Sequence, residues 1–157
     1  MQIGVISDTH GLLRPEAMAA LAGVEAILHA GDVGDAGILD ALRTIAPVTA
    51  IRGNIDTAGA CAALPAAELV ELGGASFYML HDVKTLDLDP VAAGIGVVVS
   101  GHSHRPGVER RRGVLFLNPG SAGPRRFSLP VTVAVVTVNS AEPQAEIVEL
   151  KPVAGGL

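Results

Sequence analysis

The 157-residue chain has few aromatic residues, one cysteine and little charge, and each shortage excludes a class of protein. It contains no tryptophan, one tyrosine and three phenylalanines, which leaves little material for stacking on nucleic-acid bases. Its single cysteine, Cys61, excludes a disulfide framework and a thiolate metal cage and fits a reducing compartment. Charged residues make up 17% of the chain and the formal net charge is -5, so a general polyanion-binding surface is not expected.

Long hydrophobic runs and targeting signals are also lacking. The longest apolar stretches, such as residues 95–99, fall far short of the ~20 residues that span a bilayer. Residues 1–11 have no basic region ahead of their short apolar run. We therefore expect a cytoplasmic protein with no membrane partner.

Apolar residues nevertheless make up 49% of the chain, which excludes disorder and predicts a sizeable core. The length is close to the ~150 residues of one domain, so we expect a single domain over residues 1–157. A chain with so many apolar and so few charged residues is also compatible with a homo-oligomer.

The first third of the chain alternates predicted strands with predicted helices. The strands are residues 2–6, 26–29 and 48–52, and the helices are residues 14–22 and 35–46, with Asp35 as N-cap of the second helix. This order implies a parallel sheet with right-handed crossovers.

Hairpins dominate the rest of the chain. Residues 87–93 are predicted as a short helix, residues 95–100 as an apolar strand, and residues 153–157 are expected to fray. Parallel units followed by hairpins predict an α/β fold of mixed sheets, most simply two sheets packed face to face with helices outside. The predicted hairpin strands are residues 67–72 with 76–80, 107–112 with 114–117, and 131–138 with 145–150.

Polar side chains and glycines stand where the predicted strands end. Ligands of open α/β sheets gather at the carboxyl ends of strands, so these side chains are expected to meet in one place. Carboxylate oxygen and imidazole nitrogen are ligands for Mn, Fe, Zn or Ni, and a carboxylate such as that of Asp32 can bridge two ions. The seven residues of this kind are Asp8, His10, Asp32, Asn54, His81, His102 and His104.

Each of these motifs has an ordinary structural explanation when taken alone. A strand-end aspartate is often a helix N-cap, Gly53-Asn54 reads as a turn, and a lone imidazole such as His81 is usually packed or solvated. The joint pattern favours a metal site, because four of the five histidines stand at strand ends, two of them directly beside glycines. The fifth, His29, lies inside a strand, where we expect a packed or supporting role.

Other motifs are absent or remain open. The chain has no Gly-x-Gly-x-x-Gly, no Gly-x-x-x-x-Gly-Lys-Ser/Thr and no Gly-x-Ser-x-Gly, which argues against dinucleotide binding, a triphosphate loop and a nucleophile elbow. Arg125 and Arg126 follow a turn-rich segment, residues 118–121, where they either reach a phosphate or belong to a solvated loop. Cys61 has no base nearby in sequence and is expected to be inert.

The ordered set of motifs resembles the calcineurin-like metallophosphoesterases over residues 3 to about 126. The chain length, the segment 7–11 and the segment 118–121 are similar to the small single-domain YfcE-like phosphodiesterases of bacteria and archaea. The motifs that carry the resemblance are Asp8-x-His10, Gly31-Asp32, Gly53-Asn54, His81 and Gly101-His102-x-His104.

The resemblance implies a metallo-dependent phosphatase-like fold, a four-layer α/β/β/α sandwich of two mixed sheets flanked by helices. It also implies two divalent metal ions, with Mn expected and Fe, Zn or Ni open, and a bridging hydroxide that attacks phosphorus in line. By position, the first ion would be held by Asp8, His10, Asp32 and His104, and the second by Asp32, Asn54, His81 and His102.

The implied function is hydrolysis of a small-molecule phosphoester, most simply a phosphodiester. The expected catalytic residues are Asp8, Asp32, Asn54 and His102, and the expected substrate contacts are Asn54 and Arg125.

Two positions depart from the family pattern. Ile55 stands where larger relatives have a histidine that can protonate the leaving group, and Asp82 follows His81 where glycine is frequent. The first departure predicts a preference for good leaving groups such as aryl phosphodiesters, because general-acid help is worth ~10²–10⁴ in rate. The role of Asp82, in tuning the second metal or in capping the loop, stays open.

Two alternatives to this enzyme remain. One is a non-catalytic interaction scaffold on the same fold, as in the retromer complex, where metal-binding histidines are lost. The complete ligand set argues against it. The other is a nuclease, against which the net charge of -5 and the four aromatic residues argue, as they do against any nucleic-acid partner.

Overall fold

Two five-stranded sheets carry the regular structure of the computed structural model, which describes residues 1–140 and 142–151. Within these ranges there are ten strands, three short α-helices and one 3-10 turn, Val83–Thr85. In chain order the strands and helices are β1 (Gln2–Ile6), α1 (Pro15–Ala20), β2 (Ala26–His29), α2 (Ala36–Arg43), β3 (Val48–Ala50), α3 (Gly59–Ala62), β4 (Ala67–Leu72), β5 (Ala75–Leu80), β6 (Val97–Val99), β7 (Gly107–Arg111), β8 (Val114–Asn118), β9 (Thr132–Thr137) and β10 (Gln144–Glu149).

Both sheets are mixed, as predicted. The first has the order β10-β9-β1-β2-β3, in which β1, β2 and β3 are parallel and β9 is antiparallel to its neighbours. The second has the order β4-β5-β6-β8-β7, in which β5, β6 and β8 are parallel and the two edge strands are antiparallel. All the parallel strands are interior except β3, which is an edge strand, and candidate ligands follow the ends of β1, β2, β3, β5 and β6.

The two sheets pack face to face over one apolar core. Ile3 and Leu28 of the first sheet lie in the same buried cluster as Phe77 and Val97 of the second. The central strands are covered on both faces, so they read in the sequence as unbroken apolar runs rather than as alternating patterns.

The outer layers confirm the sandwich, although its fourth layer is thin. On the first sheet, Leu39 and Leu42 of α2 pack with Ile27 of β2. On the second sheet the cover is the 3-10 turn and the loop after it, from which Leu86 packs with Val98 of β6.

The helix predicted over residues 87–93 is wrong. The chain makes turns there, and the N–H of Ile95 donates to the carbonyl of Pro90 at 2.9 Å. Gly94 has a φ of +73°, the left-handed conformation that commonly ends a helix. This glycine turns the chain into β6 before a helix can extend.

The other predicted elements are present, several of them shortened at their ends. Asp35 caps α2 as expected, accepting from the N–H of Gly37 at 2.9 Å, but the helix stops at Arg43. Residues 153–157 lie outside the described part of the chain. None of the helices in the described ranges has the length and hydrophobicity needed to cross a membrane.

Candidate metal centre

Backbone hydrogen bonds hold the loops at the strand ends together. The N–H of Asp8, after β1, donates to the carbonyl of Gly31 at 3.0 Å, which ties the loops of two neighbouring strands. The N–H of His102, after β6, donates to Asp8 Oδ2 at 3.1 Å and so links the two sheets. These bonds bring the predicted ligands from both sheets into one site.

One cluster of ligand atoms joins Asp8, His10 and His104. The His104 Nε2 atom lies 3.3 Å from Asp8 Oδ1, and His10 Nε2 lies 3.7 Å from the same oxygen. The two rings are 5.2 Å apart and tilted at 53°, so both imidazoles face one carboxylate oxygen. Three ligand atoms of these residues lie within 4.8 Å of one another, close enough to share a metal ion.

A second cluster joins Asp8, Asp32 and His81. The His81 Nε2 atom lies 3.2 Å from Asp32 Oδ2 and 3.8 Å from Asp8 Oδ1. Asp32 Oδ2 is also 3.4 Å from His10 Nε2, so this oxygen lies between the two clusters. Asp32 Oδ2 is therefore within 3.4 Å of both His10 and His81, and Asp8 belongs to both clusters.

Asn54 and His102 lie at the rim of the site. The Nδ1 atom of His102 is 3.1 Å from Asn54 Oδ1, and its ring lies 5.2 Å from that of His81. The His102 side chain is 47% exposed, and its Nε2 atom is 3.9 Å from Asp82 Oδ2. Asp82 also caps the 3-10 turn, because its Oδ1 atom accepts from the N–H of Lys84 at 3.0 Å.

The donor set fits divalent cations, because three buried atoms that lie close together have no hydrogen-bond partner. Buried polar atoms are almost always paired, so three such atoms in one place point to a missing positive group. The Nδ1 atom of His81 lies 2.7 Å from the carbonyl of Ala30 and must carry a proton, which leaves Nε2 free as a ligand. Within the described residues the three atoms are Asp8 Oδ1, His10 Nε2 and His81 Nε2, and His104 Nδ1 is a fourth unpartnered atom, in a ring that contacts Asp8 through Nε2.

The backbone is strained where the ligands are attached. Left-handed φ values cost an ordinary residue roughly 1–2 kcal/mol, and they persist where surrounding structure imposes them, often at functional sites. Five of the seven predicted ligands adopt them. These are Asp8 (φ 55°), His10 (47°), Asp32 (56°), His102 (72°) and His104 (63°).

Two glycines allow the strand-end loops to approach the carboxylates. A Cβ atom on Gly53 would overlap the carboxylate and backbone nitrogen of Asp32, and one on Gly101 would overlap Ser7 Oγ and Asp8 Oδ2. The Gly-Asn and Gly-His pairs are therefore more than turn signals, because these positions have no space for a larger residue.

Asp32 and His81 shift the pKa values of one another. Burial by itself would raise the pKa of Asp32, but the neighbouring His81 and the hydrogen bond from the N–H of Ile55 lower it to about 2. Burial likewise opposes protonation of His81, but the carboxylate of Asp32, 3.2 Å from its Nε2 atom, and the hydrogen bond to the carbonyl of Ala30 raise its pKa. Asp32 is therefore ionised at neutral pH and available to a cation.

Sequence reasoning missed Asp56 as a residue that shapes the site. This buried carboxylate accepts backbone hydrogen bonds from Val33 at 3.1 Å, Gly34 at 3.0 Å and Gly53 at 2.8 Å. It thus joins the loop after β2 to the loop after β3. The available signal was an aspartate three residues after the glycine that ends a strand.

The segment of residues 118–121 forms hydrogen bonds to two of the ligand-bearing loops. Asn118 Nδ2 donates to the carbonyl of Gly101 at 3.0 Å, and Ser121 Oγ donates to the carbonyl of Asp8 at 2.9 Å. This segment therefore connects the loop after β1 with the loop after β6.

Two cavities adjoin the ligand clusters. The polar lining of the larger, of about 410 Å³, includes Arg52, Asn54, His81 and His102, and its apolar lining includes Tyr78 and Leu80. The smaller, of about 170 Å³, is lined by His10, His104, Pro124, Arg125 and Arg126. Arg125 thus lies beside the ligands, and Arg126 lies there with it.

Curated relatives show where this chain belongs. It is 38% identical over 134 residues to a probable metallophosphoesterase of Methanocaldococcus jannaschii, covering 77% of this chain and 68% of that one. It is 36% identical over 160 residues to a probable metallophosphoesterase of Methanothermobacter thermautotrophicus, covering 94% of this chain and 92% of that one.

Solved structures share the fold. An archaeal phosphodiesterase matches 94% of this chain and 100% of its own with a TM-score of 0.77 and 24% identity. Vps29 of Entamoeba histolytica in complex with Zn²⁺ matches 96% of this chain and 100% of its own with a TM-score of 0.74 and 20% identity. Residues 1–141 match the model of the calcineurin-like phosphoesterase superfamily domain. The chain therefore belongs to the calcineurin-like phosphoesterase superfamily.

Proposed function

We propose that the protein is a metal-dependent phosphodiesterase with a binuclear centre, most simply one that uses Mn²⁺. The observation that carries this proposal is the set of three unpartnered buried atoms, Asp8 Oδ1, His10 Nε2 and His81 Nε2, in two adjoining clusters. One isolated cluster would suit a single structural ion, whereas two clusters with Asp8 in common suit a pair of ions.

Each candidate ligand has a distinct part in such a centre. Asp8, His10 and His104 would hold one ion, and Asp8, Asp32 and His81 would hold the other. Asn54 and His102 would complete the second ion from the rim, because they lie next to His81. The chemistry that such ions supply when bound is Lewis-acid activation of a phosphoryl group and of a water molecule.

The protein's own residues orient the substrate. Ser7 Oγ donates a hydrogen bond to Asp8 Oδ2 at 2.6 Å. The other oxygen of Asp8, Oδ1, has no hydrogen-bond partner and lies in the cluster. Asn54 and Arg125 are the proposed substrate contacts, one from each cavity. The larger cavity, with its apolar wall of Tyr78 and Leu80, suits an organic leaving group.

A combined metal and activity assay tests this function. The purified chain should contain two divalent ions and hydrolyse bis(p-nitrophenyl) phosphate faster than p-nitrophenyl phosphate. Chelation should abolish the activity, and added Mn²⁺ should restore it. Activity that survives full chelation, or none on either ester with Mn²⁺, Fe²⁺, Zn²⁺ or Ni²⁺, contradicts the proposal.

An interaction scaffold is the second candidate, because the backbone resembles Vps29 nearly as closely as it resembles the phosphodiesterase. The same assay separates the two, since a scaffold would bind metal without hydrolysing either ester.

A further inference from the structure

Two arginines next to the candidate centre have no carboxylate partner. Arg125 and Arg126 line the smaller cavity together with His10 and His104. Neither side chain forms an ion pair or a hydrogen bond within the described residues, and both are exposed. Arg126 is close enough to His104 for its charge to oppose protonation of that ring.

Four other arginines of this acidic chain are paired with carboxylates. Of the rest, Arg14 and Arg52 donate to backbone carbonyls, and Arg105 forms no ion pair within the described residues. The paired side chains are Arg43 with Asp40 (2.9 Å), Arg110 with Glu142 (3.8 Å), Arg111 with Glu109 (2.9 Å) and Arg112 with Asp89 (3.9 Å).

The loop that carries the free arginines is anchored to the site. The N–H of Ala122 donates to the carbonyl of Ser7 at 3.0 Å, and Arg14 Nε donates to the carbonyl of Gly123 at 3.1 Å. A Cβ atom on Gly123 would overlap the carbonyl of Thr9, so the loop lies directly against the segment between Asp8 and His10. These contacts therefore fix the backbone that precedes the two arginines beside the ligands.

We propose that Arg125 and Arg126 form an anion subsite for the substituent of the phosphodiester that is retained after hydrolysis. The preferred substrate then carries a second anionic group, a carboxylate or a phosphate, next to the scissile phosphoryl group. This inference rests on the proposed function.

The positions of the two arginines support a second anion. Arg125 and Arg126 place two positive charges beside the ligand clusters in addition to any bound cations, and a substrate with a second anionic group matches them. The larger cavity adjoins His81 and His102, and the smaller one adjoins His10 and His104. A diester that spans the site therefore has its leaving group on the apolar side and its other substituent beside the arginines. Guanidinium groups bind both carboxylate and phosphate, often through two parallel hydrogen bonds.

The test compares two substrates that share one leaving group. Both are p-nitrophenyl phosphodiesters, and the other substituent is either ethyl or 3-carboxypropyl. With the Mn²⁺-loaded chain, kcat/KM should be about tenfold higher for the carboxylate, the ratio that 1.4 kcal/mol gives at 25 °C. The double variant R125Q/R126Q should bring the ratio to about one, and Arg126→Glu should bring it below one.

Arg43→Gln provides the matched control, because Arg43 is an exposed arginine on α2 that is paired with Asp40. It should keep the ratio of the natural chain. A ratio near one in the natural chain, or a ratio that the double variant leaves unchanged, overturns the subsite.

A binding measurement separates this inference from the proposed function. Calorimetric titration of the Mn²⁺-loaded chain should show tighter binding of phosphonoacetate than of methylphosphonate, and R125Q/R126Q should remove the difference. If neither diester is hydrolysed but this preference is present and lost in the variant, the phosphodiesterase fails and the subsite stands. Equal affinities in the natural chain overturn the subsite whatever the activity.

Discussion

The Nε2 atom of His29 lies 3.0 Å from the Oγ1 atom of Thr9, which joins β2 to the loop after β1. Thr9 donates its hydroxyl proton to the carbonyl of Val33 at 2.8 Å, so His29 must donate to Thr9 through Nε2. Its Nδ1 atom accepts from the N–H of Gly31 at 3.1 Å. His29 is therefore a neutral imidazole that connects two ligand-bearing loops from beneath, in the supporting role that its place within a strand predicts.

The first prediction concerns stability against pH. Burial lowers the pKa of His29 from 6.5 to about 4. Below pH 6.5 the unfolded chain therefore binds a proton at His29, whereas the folded chain does not. The free energy of unfolding should fall through this window, by about 2 kcal/mol between pH 7 and pH 5 from this residue. Urea unfolding of the chelated protein at pH 7 and pH 5 measures this loss. In His29→Gln the free energy of unfolding should fall by about 2 kcal/mol less than in the natural chain. Equal drops in both proteins would show that His29 is protonated in the folded state.

The second prediction concerns the carboxylate between the two clusters. Asp32→Asn keeps the side-chain shape but removes the negative charge, so we expect the loss of at least one metal ion and a fall in kcat of about 100-fold or more. Asp35→Asn is the matched control, because Asp35 is an exposed N-cap and asparagine caps equally well. Metal analysis and diester assays on both variants check this. A fully active Asp32→Asn protein at saturating metal would contradict a binuclear centre.

The third prediction concerns the close approach at Gly53. Gly53→Ala places a Cβ atom against the carboxylate and backbone nitrogen of Asp32, so we expect weaker metal binding and a loss of about 1–3 kcal/mol in unfolding free energy. Gly107→Ala at the start of β7 is the control, because a Cβ atom there meets open space. Urea unfolding and metal titration should separate the two variants, and similar behaviour would remove the steric argument.

The fourth prediction concerns the leaving group. Ile55 is 40% exposed and cannot donate a proton, so the natural chain should hydrolyse aryl diesters much faster than alkyl diesters. Ile55→His should raise alkyl turnover by about tenfold or more and change aryl turnover little, because an aryloxide leaves without protonation. Ile55→Asn, which is polar but no acid, should not reproduce the gain. Comparable alkyl and aryl rates in the natural chain would count against this reading.

The strands could be predicted because burial on both faces leaves a strong sequence signal. β1 is predicted to the residue, since Ile3, Val5 and Ile6 form a β-branched run that only a covered strand requires. The prediction of a helix over residues 87–93 was wrong because the deciding sequence signal there is a single residue. One glycine, Gly94, decides that the chain turns, and average propensity over several residues does not register a single φ angle.

The candidate site was likewise predictable from the sequence only in part. Polar residues directly after apolar strands predict where ligands gather, because strand ends meet whatever the details of packing. The membership of each cluster depends on distances of 3–4 Å between side chains from different strands, and it is set by the left-handed backbone at Asp8 and Asp32. No spacing rule gives such distances.

By itself, the sequence determined the α/β class, the order of the strands along the chain and the family to which the chain belongs, because periodicity and motif order are properties of the chain alone. Only the tertiary structure decided that Asp8 lies in both clusters, that Asp56 and His29 support the loops, and that Arg125 and Arg126 stand unpaired beside His10. These relationships join residues far apart in the chain, and they exist only once the two sheets have packed and brought their strand ends together.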